Sequence, residues 1–364
     1  VGALGLPPTV VFDQPGLERF LRAAAADLGV EMLLGVEAQA IVDESEGPRV
    51  RVAGHDRPEI TARWVVAADG AKSPTRAMRG IGLVDQGFDQ TWLVVDTTLL
   101  DPALPLPGIV QQVCDSERIC TFVPGTGTHR RWEFRLHDDE TREELLADDM
   151  IADLLAPWGT TAQLRIERSA VYRFHAVVAE TFRNGPVFLA GDAAHQMPPF
   201  NGQGMCTGMR DAENLSWKLA HVAAGRADDG LLDTYDAERR PHAAGQVAHA
   251  ADAGRLIDAI AHDGDTALES GYGQRPFPKL EGELFTGDHP FVGGVLPVPQ
   301  VVAPPPSDEW TLMHADGSER AESDLIAWRD LGADVLPVPA EAYPTVLDDH
   351  AVMIIRPDRI VAAV

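Results

Sequence analysis

Apolar residues recur along this chain with two periods, and the switches between them mark the predicted elements. In 15–28 (PGLERFLRAAAADL), Leu17, Phe20, Leu21 and Ala24 share one helical face, and Asp13 before Pro15 reads as an N-cap. Strand-like runs follow at 30–34, 50–53 and 64–67, the last ending at the turn signal Asp69-Gly70. Residues 91–99, 109–114, 119–124 and 130–136 are strand-like between Pro/Gly turns, and alternation at Trp132, Phe134 and Leu136 predicts a sheet with one solvated face. An acidic amphipathic helix is expected over 141–155 and one long strand over 164–176. The block 85–180 therefore reads as an antiparallel sheet domain.

The apolar strand VFLA (187–190) ends at Gly191-Asp192-Ala193-Ala194-His195, and a Pro/Gly loop leads into a helix over 205–224. Met209, Ala212, Leu215 and Leu219 are its expected buried face, and the pair Met205/Met209 is read as core. A second helix spans 231–262. The segment 266–308 is rich in Pro and Gly and reads as a surface linker, and 309–364 as a small α/β unit. The domain organisation is thus 1–84 with 181–265 as two parts of one ligand-binding unit, 85–180 as a sheet domain inserted between them, then the linker and the tail.

Composition narrows the function class. The 364 residues carry 56 acidic and 30 basic side chains, a formal charge of −26, with 45% apolar residues. That balance belongs to a folded globular chain rather than a disordered one, and it argues against a nucleic-acid-binding surface. Cys114, Cys120 and Cys206 form no CxxC pair, so neither a disulfide framework nor a metal site is expected. No apolar run reaches membrane-spanning length and no signal peptide opens the chain, so the expectation is a cytoplasmic protein. The chain starts at Val1 rather than Met, which fits a processed N-terminus or a piece of a longer protein.

Two segments carry chemistry. In AADGAKSPTR (67–76) a strand delivers Asp69-Gly70 to a sharp turn. Asp69 offers a carboxylate to ribose or ribityl hydroxyls, Gly70 frees the backbone for close approach, and Arg76 is placed to face phosphate. The alternative is an ordinary strand-to-helix turn capped by Asp69. The second segment is GDAAHQMPPFNGQGMCTGMRDAENLSWKLA (191–220). A buried strand ends at Gly191-Asp192, Pro198-Pro199 turns the chain, and Gly202-Gln203-Gly204 opens a helix whose free N–H groups attract negative charge. An acid at the strand mouth and glycines at a helix start suit a ligand with both a polyol chain and an anionic ring. No GxGxxG in a βαβ context occurs in the chain.

These two motifs, DGxxSxxR and GDAAHxxPPxxGQGxxxGxxDAxNLxWKL, resemble the flavoprotein aromatic hydroxylases of the p-hydroxybenzoate hydroxylase type. With LLDTYDAERRPHA (231–243), the wording looks closest to the 3-(3-hydroxyphenyl)propionate hydroxylases, and IIRPDRIVAAV (354–364) is similar to the end of their thioredoxin-like C-terminal unit. The resemblance covers about 8–255 well and 340–364 less closely. It implies an α/β (α+β) protein: an FAD-binding Rossmann-like fold, lacking its N-terminal GxGxxG unit here, an antiparallel-sheet substrate domain and a thioredoxin-like remnant. It implies FAD and NAD(P)H as cofactors, and hydroxylation of a small phenolic substrate with O2 through a flavin C4a-hydroperoxide. It implies no nucleic-acid or membrane partner, and a homodimer is one assembly compatible with it.

Residue by residue, the resemblance assigns Gln14, Asp69, Gly70, Arg76, Gly191, Asp192, Gly202, Gln203, Gly204, Met205 and Cys206 to the flavin. Pro199 matches the proline whose carbonyl faces substrate and flavin edge, and Asn214 and Trp217 pack the helix. Cys206 stands where the family often has Asn. His195 is read first as a loop-stabilising residue and second as catalytic, and Tyr172 and His175 as candidates for lining a substrate pocket, with a structural role as the alternative. Two other readings stay open: a polyketide or antibiotic hydroxylase of the same family, and a non-catalytic flavin-fold binding module.

Overall fold

In the computed structural model, which describes residues 10–45, 47–264, 278–287, 292–295, 309–315, 322–338 and 352–363, the first helix starts where its cap dictates. The Asp13 carboxylate accepts from Gly16 N at 3.0 Å and α1 runs Gln14–Asp27 with none of its residues buried. The strand expected at 30–34 does not form: the chain turns at 28–29 and again at 34–35 and pairs with nothing there. Instead β1 (Glu37–Glu44), β2 (Gly47–Ala53) and β3 (Glu59–Thr61) make an antiparallel meander, of which only the middle strand was legible.

β4 (Val65–Ala67) carries the Asp69-Gly70 turn into the short helix α2 (Pro74–Met78), which Ser73 caps by accepting from Arg76 N at 3.0 Å. The chain then enters the large sheet through β5 (Leu83–Leu99), followed by β6 (Gln111–Val113), β7 (Cys120–Pro124), β8 (His129–Arg135) and β9 (Leu164–Ala179). The helix expected over 141–155 is two, α3 (Arg142–Leu145) and α4 (Asp148–Leu155), because a Thr141–Glu144 capping box starts the first and Ala147 is extended between them. Their Leu145, Ile151 and Leu155 cover one face of the sheet, against Leu93, Val95, Phe122, Trp132 and Phe134.

β10 (Arg183–Asn184) turns into β11 (Val187–Leu189), which pairs parallel with β4, so the two motifs leave the same end of one small sheet. β12 (His195–Gln196) then joins the edge of the large sheet, whose order is β12-β9-β5-β8-β7-β6 with every pair antiparallel. Two long helices follow, α5 (Gly204–Ala223) and α6 (Asp233–Asp263).

The buried face of α5 differs from the apolar stripe read in the sequence. Met205, Met209 and Ala212 are exposed and Leu219 is half-buried, whereas Thr207, Asp211, Asn214, Trp217, Lys218 and His221 are buried beside Leu215. Apolar periodicity fails here because α5 packs through hydrogen bonds and ion pairs, and its methionines face outward.

Most of the expected linker at 266–308 lies outside the described residues. The described part of the tail forms β13 (Thr311–Ala315), α7 (Glu322–Asp330), β14 (Asp334–Val338), β15 (Val352–Ile355) and β16 (Val361–Ala363), in sheet order β14-β13-β15-β16. No helix among the described residues is long and apolar enough to cross a membrane.

Burial on α6 has a measurable consequence. His242 is pushed down to about 3 by desolvation and by the neighbouring Arg239 and Arg210 charges, while Glu133 in β8 is pushed up to about 7 by burial. A depressed histidine contributes stability that is present above pH 6.5 and lost as pH falls. A raised carboxylate contributes stability present below pH 4.5 and lost as pH rises. The two oppose each other between pH 7 and 5, with the lowered pKa of His221 adding to the histidine side. His242→Gln removes one arm, so its stability relative to the parent should rise by about 2 kcal/mol on acidification from pH 7 to pH 5 in denaturant unfolding. A His242→Gln profile parallel to the parent's would contradict the assignment.

Candidate functional site

The two motifs meet at the end of the β11/β4 pair. Gly191 adopts φ +59°, and a Cβ on Gly208 in the second turn of α5 would sit 3.2 Å from Gly191 Cα, so glycine at both positions lets helix and loop touch. Arg76 bridges the motifs: its guanidinium donates to Ala193 O at 2.8 Å and to Ala71 O at 3.0 Å. It therefore pins one loop to the other, with further guanidinium N–H groups remaining.

Asp69 is likewise engaged. Its carboxylate accepts from Ser73 Oγ and from Thr75 N at 3.0 Å. Desolvation would raise its pKa, but these hydrogen bonds outweigh it and hold the carboxyl below the usual range. These bonds hold the turn after β4 and brace Ser73, the residue that caps α2. Gly70, at φ +81° with open space where a Cβ would be, leaves the backbone of this turn approachable.

A buried hub holds the second motif in place. Asp211 Oδ2 accepts from Gly191 N at 3.0 Å and lies 2.7 Å from His195 Nε2, while Asp211 Oδ1 accepts from Arg239 Nε at 2.9 Å. Burial pushes Asp211 up, yet the hydrogen bond from His195 and the surrounding positive charge keep it below its ordinary value. Arg239 also donates to Thr207 O at 3.4 Å. His195 is 1% exposed, so it reaches no ligand from this position and serves the loop. The sequence marked neither Asp211 nor Arg239 as functional. The available signal was polar: Thr207, Asp211, Asn214, Lys218 and His221 recur at helical spacing.

What the hub presents is a cradle. Gly202 is left-handed (φ +61°) with nothing within 4 Å of a Cβ, and Gly204 opens α5 with no side-chain cap. The first helical bond runs from Thr207 N to Gln203 O, which leaves the N–H groups of Gly204, Met205 and Cys206 without an acceptor among the described residues. Asp192 follows the Gly191 that meets Gly208 of α5; it is exposed, and no hydrogen bond among the described residues engages its carboxylate. Pro199 starts a turn of 3-10 helix and its carbonyl accepts from Gly202 N at 2.8 Å, with a second lone pair remaining.

Behind Pro199 stands an aromatic wall. Phe200 packs its ring 5.3 Å from Trp92, 6.2 Å from Phe174 and 5.9 Å from Phe88. Trp92 pairs with Tyr172 across β5 and β9, so these two share the sheet face that meets Phe200. His175, three residues on, falls on the opposite face, so the structure does not bring Tyr172 and His175 to one wall. Gln14 is not brought to the cradle by any hydrogen bond among the described residues; its amide bonds Glu18 within α1. A separate polar cleft, lined by Gln90, Arg135, His137 and Arg173, contains no residue of the cradle, and its Arg135 and Arg173 are already paired with Asp258 and Asp89.

A run of helix-tip N–H donors, a carboxylate beside it and glycines that let a large ring approach is a donor set for a flavin. Residues 4–250 match the FAD-binding domain family. The chain belongs to that family. The 3-(3-hydroxy-phenyl)propionate/3-hydroxycinnamic acid hydroxylase of Mycolicibacterium smegmatis is 38% identical over 256 residues, 70% of this chain and 45% of its own length. A probable NADH-specific resorcinol 4-hydroxylase of Rhodococcus jostii is 39% identical over 246 residues, 66% of this chain and 46% of its own. The chain spans about half the length of the curated relatives it matches. In fold, the crystal structure of aklavinone-11 hydroxylase with FAD and aklavinone superposes with a TM-score of 0.80 at 24% identity, covering 96% of this chain and 74% of that one. Among the residues this family member brings together, Asp192, Gly202, Gly204, Met205 and Cys206 have backbone or side-chain groups left to offer an FAD, whereas Asp69, Arg76, Gly191 and His195 build the cradle.

Proposed function

We propose that this chain is the flavin-holding and substrate-facing part of an NAD(P)H-dependent monooxygenase that hydroxylates a phenolic compound with O2. The observation that carries the reading is the juxtaposition of the uncapped α5 tip with Pro199 and the aromatic wall of Phe200, Trp92 and Phe174. The names of the hydroxyphenylpropionate and resorcinol hydroxylase relatives support it.

Bound FAD supplies the redox and oxygen chemistry. The chain's own residues do the rest. The N–H groups of Gly204, Met205 and Cys206 would hold the flavin's anionic edge, where free helix-tip donors favour negative charge. Asp192 accepts hydrogen bonds from polyol hydroxyls, with Gln203 beside the same tip. The free lone pair of the Pro199 carbonyl accepts from the phenol hydroxyl and orients it. Phe200 and Trp92 exclude water from one side of that position, and Tyr172 borders it on the same sheet face. His195 acts as a positioning residue through Asp211.

The test is the absorption spectrum of the purified protein reconstituted with FAD, then NADH and NADPH oxidation with and without 3-(3-hydroxyphenyl)propionate. A bound-flavin spectrum perturbed by the phenol and a substrate-stimulated rate are expected. Absence of flavin binding would sink the reading. Because Asp192 is exposed and unengaged, Asp192→Ala should leave the melting temperature unchanged. It should weaken FAD binding about tenfold, the worth of one charge-assisted hydrogen bond.

A further inference from the structure

A second buried ionic cluster lies further along the same face of α5, and it reaches out of the flavin fold into the tail. Lys218 Nζ stands 3.0 Å from Glu238 Oε2 of α6, and Arg356 NH2 is 2.9 Å from the same oxygen. Arg356 donates to both oxygens of Asp358, at 3.1 and 2.6 Å. Asn214 donates to Glu238 at 2.8 Å and to Asp358 at 3.3 Å, and Trp217 Nε1 donates to Asp358 at 3.2 Å. The Arg356 guanidinium lies 5.2 Å over the Trp217 ring. Two cations face two carboxylates, and all four side chains are buried. Arg356 and Asp358 belong to the turn between β15 and β16 of the C-terminal sheet.

The two buried clusters share a joint on α6. Glu238 serves the tail-side cluster, and its chain neighbour Arg239 serves the hub, holding Asp211 and the carbonyl of Thr207 in the first turn of α5. A change at Arg356 reaches the α5 tip in three steps: Arg356 to Glu238, one peptide to Arg239, then Asp211 and Thr207. Every member is buried and held in one arrangement by charge, so the connection is stiff.

We propose that the Arg356–Asp358 turn is a clasp that positions the tip of α5, which makes the C-terminal unit a working part of the ligand cradle and Arg356 a positioning residue for it. The ligand-binding consequence rests on the flavin reading above; the positioning itself does not. The cluster is neutral only when complete, and removing Arg356 leaves Glu238 and Asp358 with one cation between them. The clasp also explains why α5 buries charged side chains where the sequence pattern calls for apolar ones.

The experiment is amide hydrogen exchange on the full chain, comparing the parent with Arg356→Met, Arg356→Lys and the milder Asp358→Asn. Arg356→Met should speed exchange at least tenfold at 352–358 and also at Thr207–Asp211, about 30 residues upstream of the α6 joint in sequence. Arg356→Lys should recover part of that protection, because it restores the charge without the fork. Asp358→Asn should give the same pattern at smaller amplitude, and it decides the matter if Arg356→Met does not fold. Faster exchange confined to the C-terminal unit, with Thr207–Asp211 unchanged, would overturn the proposal. FAD titration of the same proteins adds an independent readout: the dissociation constant should rise at least fivefold in Arg356→Met. If no protein in the set binds FAD, the flavin reading fails, while the exchange pattern still decides the clasp.

Discussion

Asp211→Ala is expected to cost about 3–5 kcal/mol of folding stability, the loss typical of removing one partner from a buried ion pair. The figure follows from what the carboxylate does. It neutralises Arg239, which is 1% exposed, it accepts the Gly191 N–H, and it fixes the His195 ring. After truncation all three are left inside without their partner, and a buried cation without a counter-ion is the most expensive of them. Asp211→Asn keeps the shape and loses the charge, so it should fall between the parent and Ala. Urea unfolding of the three proteins gives the comparison, and the FAD-binding titration reports the function. Both Gly191 and α5 are held through Asp211, so weakened flavin binding should accompany the lost stability. An Asp211→Ala protein within 1 kcal/mol of the parent would remove the hub from the account.

The contrast between Asp211 and Asp69 shows how much of the site was legible. Both stand in recognisable motifs, and both turn out to build backbone. A turn role for Asp69 was readable as one of two alternatives, because its partners Ser73 and Thr75 lie within six residues of it. Asp211 was not, because its partners lie 20 residues back at Gly191, 16 back at His195 and 28 ahead at Arg239. The same distinction runs through the fold. Strands of the large sheet follow from period and the start of α1 from its Asp13 cap, which neighbouring residues determine. The face that α5 buries depends on Glu238 and Arg356, which only the folded chain brings near. A stripe of polar residues at helical spacing was present, but a solvated helix face leaves the same stripe. Tyr172 and His175 lie on opposite faces of the strand, because three residues along it is an odd step, and only Tyr172 shares the face of Trp92.

The other large effect is expected at Trp92, which is completely buried. Its ring stacks on Phe174 at 5.8 Å and meets Phe200 at 5.3 Å, and its indole N–H donates to Gln90 Oε1 at 3.0 Å, whose amide in turn donates to Asp258 of α6. Trp92→Ala removes the centre of that stack and should cost about 3–5 kcal/mol, because the sheet behind it cannot collapse into the space. The functional signature should differ from that of Asp211→Ala. Phe200 loses the nearest of its three ring neighbours while the helix tip and Asp192 keep their supports. Flavin affinity should then hold, and the shielding beside Pro199 should fail. Under the proposed function, that appears as NAD(P)H consumption with less hydroxylated product per turnover, because water reaches the reacting centre. Trp92→Phe retains a ring and should recover most of the coupling. The ratio of product formed to NAD(P)H oxidised, measured beside urea unfolding, separates the two sites. If Trp92→Ala lost flavin affinity as sharply as Asp211→Ala, the cradle and the aromatic wall would have to be one cooperative unit rather than two.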